Sequence, residues 1–69
     1  MEFKLDGSEY IELKNLLKIS GLCENGGAAK AAIGDGLVSV DGKVETRKAC
    51  KIVSGQSVTY RGKSIQVVD

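Results

Sequence analysis

The stretch LKNLLKISGLCENGGAAKAAIGDGLVSVDG, Leu13 to Gly42, decides the fold. Tyr10, Leu13, Leu16 and Leu17 recur at intervals of three and four, the spacing of one face of a helix. They predict a helix that starts between Glu9 and Leu13 and runs to about Ser20, with Lys14 and Lys18 one turn apart beside the leucine stripe. Gly21 is placed to end it in a left-handed conformation. A second helix is predicted over 26–34, with Asn25 as N-cap and Ala28, Ala29, Ala32 and Ile33 as a narrow apolar face. Small residues on that face allow close approach to the leucines of the first helix. Lys30 points away toward solvent, and Gly34 and Gly36 stop the helix.

The stretch closes on VSVDG, which continues into a hairpin with KVE. A strict two-residue Asp41-Gly42 turn pairs Val40 with Lys43 on one face, mixing apolar and charged side chains. A type I turn ending in left-handed Gly42, with a bulge, sets Val38 opposite Val44 instead. Lys43, Glu45 and Arg47 then share the wetter face. The bulged form separates the two chemistries and is the one we expect.

Working outward, FKL at 3–5 alternates like a short strand and is followed by a turn at Asp6-Gly7-Ser8. Downstream, IVSGQ supplies a turn at Ser54-Gly55. VTYRGKSIQVV reads as a hairpin about Arg61-Gly62, with Val58, Tyr60, Ile65 and Val67 as alternating partners. The outline is strand, helix, helix, then short antiparallel strands: an α+β domain with two packed helices followed by a small antiparallel sheet.

The 69 residues, 42% hydrophobic and 28% charged, suit a single soluble domain over 1–69 with one thin core. No apolar run approaches the ~20 residues of a membrane span, and no secretory leader is visible, which points to the cytoplasm and away from membranes. Cys23 and Cys50 are too few for a disulfide framework and read as reduced, partly buried thiols. The net charge of +1 is unevenly spread. Residues 1–12 hold Glu2, Asp6, Glu9 and Glu12 against Lys4, whereas from 37 onward Lys43, Arg47, Lys48, Lys51, Arg61 and Lys63 oppose Asp41, Glu45 and Asp69. That asymmetry suits an anionic partner for the second half.

Catalytic and cofactor chemistry lacks its residues. There is no His and no CxxC, so neither a structural zinc site nor an activated cysteine nucleophile can be assembled in the usual way. NGGAAKAAIGDG matches neither GxGxxG nor GxxxxGK[ST]. We expect neither enzyme activity nor a cofactor. Two features suit an anion instead. The amides opening the second helix have no partners inside it, and Gly26-Gly27 leave them unshielded, with Lys30 one turn further on. Arg47, Lys48 and Lys51 follow the hairpin. Arg47 and Lys48 are adjacent, so the backbone must bend for both to serve one surface.

Leu13 through Gly42 resembles the S4-type RNA-binding domain, also called the αL motif. That family shows a leucine-bearing first helix, a Gly-ended link, a second helix closing with Ile-x-x-Gly and a V-x-V-[ND]-G hairpin, here Ile33 to Gly36 and Val38 to Gly42. The continuation VETRKACKIVSGQSV is similar to the small free-standing bacterial branch, the YbcJ-like proteins. The resemblance implies an S4-like fold whose two helices and following hairpin dock on structured RNA, such as ribosomal RNA or a precursor particle; with the readings above, we expect a cytoplasmic, non-catalytic monomer. The resemblance points to Asn25, Gly26, Gly27 and Lys30 at the second helix and to Arg47, Lys48 and Lys51 after the hairpin, with Lys18 at the margin; Lys43, on the wetter face of the hairpin, is a further candidate RNA-binding residue. Where many S4 domains carry Ser and Arg, this chain has Asn25-Gly26-Gly27, so backbone amides take a larger share. Asp41 stands in place of the common Asn, a negative charge near the patch.

The three aromatic residues, Phe3, Tyr10 and Tyr60, fit core roles. Without a row of exposed rings, phosphate contacts and shape are what remain for recognition. Glu45 is placed to orient Arg47 from two residues away. The alternative reading is a protein-interaction module whose basic surface docks an acidic protein partner.

Overall fold

A computed structural model describes residues 1–69. The chain order is β1 (Glu2–Lys4), β2 (Ile11–Glu12), α1 (Leu13–Ile19), α2 (Gly26–Gly34), β3 (Val38–Val40), β4 (Lys43–Val44), β5 (Lys51–Ile52), β6 (Ser57–Tyr60) and β7 (Lys63–Val68). Five strands form one sheet in the order β1-β7-β6-β3-β4, and β2 pairs with β5 as a separate two-stranded ribbon. No helix is long and apolar enough to cross a membrane.

The core follows the predicted periodicities. Leu13, Leu16 and Leu17 of α1 meet Ala29, Ala32 and Ile33 of α2 above a sheet face of Val38, Val58, Tyr60, Ile65 and Val67, with Leu5, Cys23 and Ile52 completing it. No polar or charged residue is buried. The final hairpin has the expected register, Val58 opposite Ile65. Asn25 caps α2 as anticipated, its Oδ1 accepting the Ala28 N–H at 2.8 Å. Gly21 and Gly36 take the positive φ values, 84° and 76°, that let the chain leave the two helices. Both cysteines are free, Cys23 buried and Cys50 half-buried.

Four details differ from the sequence reading. The β3–β4 hairpin uses the strict two-residue turn. Asp41 and Gly42 both have positive φ, 51° and 83°, and Val40 pairs with Lys43 while Ser39 pairs with Val44. The expected clash of chemistries is resolved because β4 is the sheet edge, where Lys43 is exposed and a lysine stem can pass over apolar surface to water. Val44 is left 62% exposed as a result. Tyr10 lies before α1, not on its buried stripe, and is 41% exposed. Ala28 is exposed, so the apolar face of α2 is narrower than predicted. The sheet is also mixed, since β1 runs parallel to β7.

Candidate nucleic-acid interface

The basic segment after β4 is shaped by its backbone. Cys50 N–H donates to the Arg47 carbonyl at 3.1 Å, closing a turn over Lys48 and Ala49. The carbonyls of this turn serve a second purpose. Glu12 gives α1 no side-chain cap; the Leu13 N–H donates to the Cys50 carbonyl at 2.9 Å and the Lys14 N–H to the Lys48 carbonyl at 3.2 Å. Helix amides that otherwise lack partners are thus satisfied by the basic loop itself. Beyond it, β5 pairs with β2, Lys51 opposite Glu12 and Ile52 opposite Ile11.

This bend lets neighbouring cations serve one surface. Arg47, Lys48 and Lys51 line a broad concavity of about 850 Å³ together with Lys30 and Gly34 of α2, Thr46, Ala49 and Cys50. All four cations are exposed. Arg47 is held by Glu45, whose carboxylate accepts from Nε at 3.0 Å, from Nη2 at 3.1 Å and from the Arg47 backbone N–H at 3.0 Å. The orienting role read from the sequence is therefore present. It occupies two of the five guanidinium donors and leaves the rest facing solvent, with the side chain 78% exposed. The side-chain hydrogen bonds from Arg47, then its backbone N–H, hold the Glu45 carboxyl down to about 2. Lys51 is positioned differently: its Nζ lies 4.9 Å from the centroid of the Tyr10 ring. The Cys50 thiol is pushed up by desolvation and then by the Glu45 charge, so it stays protonated at neutral pH.

The other predicted residues sit elsewhere. Asn25, Gly26 and Gly27 open α2 and do not line the concavity, although Lys30, which does, is one turn further along the same helix. Lys18 is in the last turn of α1, where a cation suits the helix dipole. Lys43 is beside the Asp41-Gly42 turn at the far end of β4. The Asp41 carboxylate is turned to the fold: Oδ1 accepts from the Ser57 N–H at 2.9 Å and Oδ2 lies 3.4 Å from Gln56 Nε2. Tyr10, assigned to the core by periodicity, is the residue the sequence reading missed; it becomes visible only through the pairing of β2 with β5.

The sequence matches the S4 domain family over residues 3–68, nearly its whole length. This chain belongs to the S4 domain family. Within it, YbcJ of Escherichia coli (strain K12), whose name gives it RNA binding provisionally, is 54% identical over 66 residues, covering 96% of this chain and 94% of that protein. YbcJ of Shigella flexneri, named as uncharacterized, matches to the same extent. The solution structure of E. coli YbcJ, reported with an αL motif involved in RNA binding, superposes with a TM-score of 0.77 at 53% identity, covering 99% of this chain and 86% of that one. The S4 fold read from Leu13 to Gly42 is thus the fold of this chain.

Proposed function

We propose that this S4-family protein is a single RNA-binding domain over 1–69 that contacts the phosphate backbone of structured RNA without catalysis. The observation that carries the reading is the convergence of Lys30 with Arg47, Lys48 and Lys51 on one concavity. Three of these four cations have no carboxylate within salt-bridge distance, since Arg47–Glu45 is the sole ion pair. Relatives described by RNA binding support the choice of anion. The opening of α2 at Asn25, Gly26 and Gly27 extends the surface along that helix and Lys18 forms its outer margin, whereas Lys43, at the far end of β4, stands apart from it. Ribosomal RNA or a precursor particle in the cytoplasm is the class of target, and the protein acts as a monomer. One ring, already beside Lys51, makes no stacking platform for splayed bases, so shape and phosphate contacts dominate. The chain has no His to serve as a neutral-pH acid or base.

With roughly four or five phosphates engaged, affinity is roughly micromolar and the log–log salt slope is about −3 to −4. Filter binding of duplex and stem-loop RNA at two salt concentrations tests this. Binding that ignores salt, or that survives the combined Arg47→Ala, Lys48→Ala and Lys51→Ala variant, rules it out.

A further inference from the structure

Three non-glycine residues adopt positive φ: Asp6, Asp41 and Arg61. Aspartate tolerates this conformation because its short polar side chain can bond the local backbone. Arg61 has no such aid. At φ 51° it opens the two-residue turn between β6 and β7, a position where Asn, Asp or Gly ordinarily stands. A disfavoured backbone region occupied by a long cationic residue directs attention to its side chain. The guanidinium lies 5.3 Å from the centroid of the Tyr60 ring, and no carboxylate pairs with it. Lys63, opposite Tyr60 across the turn, is likewise unpaired. With Gly21, Leu22 and Tyr60 these two cations line a cleft of about 160 Å³, separate from the larger concavity.

Sheet topology brings the Arg61 turn and the start of the basic loop to one end of the sheet. Val38 is flanked on one side by Tyr60 and on the other by Glu45, whose N–H donates to its carbonyl at 3.0 Å. β6 therefore runs into the Arg61 turn, and β4 into the basic loop, at the same end of the sheet. Two inter-strand spacings, about 10 Å, separate the backbones there. The carboxylates of Asp6, Asp41 and Asp69 follow strands or turns at the opposite end, with Lys4 and Lys43 beside them.

We infer that Arg61 and Lys63 form a second phosphate contact, so that bound RNA runs from the Lys30–Arg47–Lys48–Lys51 concavity across this end of the sheet to the β6–β7 tip. The inference rests on the RNA-binding reading above and extends its footprint. The ring of Tyr60 keeps the Arg61 guanidinium in place before RNA arrives, and the residue is exposed at the β6–β7 tip.

The test measures a labelled RNA stem-loop against wild type, Arg61→Asn with Lys63→Thr, and the Arg47, Lys48 and Lys51 triple alanine variant across a salt series, with the Tm of each protein. The double variant is expected to raise Kd about tenfold and to flatten the log–log slope by between about one and two, with Tm at or above wild type. Wild-type affinity and slope in the double variant, alongside lost binding in the triple variant, overturn the second contact alone. A fall in Tm that accompanies the weaker binding also overturns it, by assigning the pair to folding. Failure of wild type to bind at low salt overturns the RNA reading and this inference with it.

Discussion

The two hairpins of the sheet share one backbone and use it differently. Both turn through two residues of positive φ, 51° and 83° at Asp41-Gly42, 51° and 77° at Arg61-Gly62. Asp41 works inward: its N–H donates to the Ser57 carbonyl at 2.8 Å, and its carboxylate accepts the Ser57 N–H in return. The β3–β4 turn is thereby clamped to the start of β6. Arg61 makes no hydrogen bond to the fold, only a contact with the ring beside it. One turn secures the sheet; the other presents a cation. The first residue of a tight turn can thus be chosen for the molecule's interior accounts or for what approaches from outside, and the backbone angles alone do not say which.

Exchanging those roles gives the largest effect. Asp41→Arg removes the acceptor for Ser57 and places a second long side chain at positive φ, and is expected to cost about 2–3 kcal/mol. In a domain of this size that lowers Tm by about 10 °C or more in a thermal melt. The glycines probe what the hairpins have in common. A Cβ added at Gly42 or Gly62 meets nothing within 4 Å, so Gly42→Ala and Gly62→Ala each cost only the backbone term, about 1–2 kcal/mol. Unequal losses in urea titrations of the pair would break the equivalence of the two turns.

Arg61→Asn relieves the turn but forfeits the Tyr60 contact. Stability is expected to stay level or rise by up to about 1 kcal/mol, the reverse in sign of Asp41→Arg. The smallest effect lies at Glu45. Its folded carboxyl titrates at about 2, below the ordinary 4.5, so the stabilisation from its bond to Arg47 is complete above pH 4.5 and fades as pH falls through 2. An NMR titration of the Glu45 carboxyl should show that low midpoint in wild type and a return toward 4.5 in Arg47→Ala.

Much of this architecture was legible because local signals agreed. Asn25 before the alanine run and Gly36 after it bounded α2, and alternation around Arg61-Gly62 gave the last hairpin its register. The first hairpin departs from the premise that apolar and charged side chains must take separate faces; at a sheet edge they need not, and the turn preference of Asp-Gly prevails. β2 and β5 are two residues each, too short for any period, so their pairing and the position of Tyr10 could be known only from the folded chain. The same holds for the candidate interface. The cations Arg47, Lys48 and Lys51 could be named from composition, but the turn that unites them depends on carbonyls accepting from α1, a long-range contact that spacing does not encode.

That contact has a dynamic consequence. The amide protons of Leu13 and Lys14 are held by the carbonyls of Cys50 and Lys48, so they exchange with solvent only when the 48–50 loop lifts from the helix start. A ligand that pins the loop from outside must slow their exchange, even though neither Leu13 nor Lys14 lines the concavity. Two backbone hydrogens at the beginning of the first helix are therefore a built-in reporter of occupancy, readable by deuterium uptake without a label on either partner.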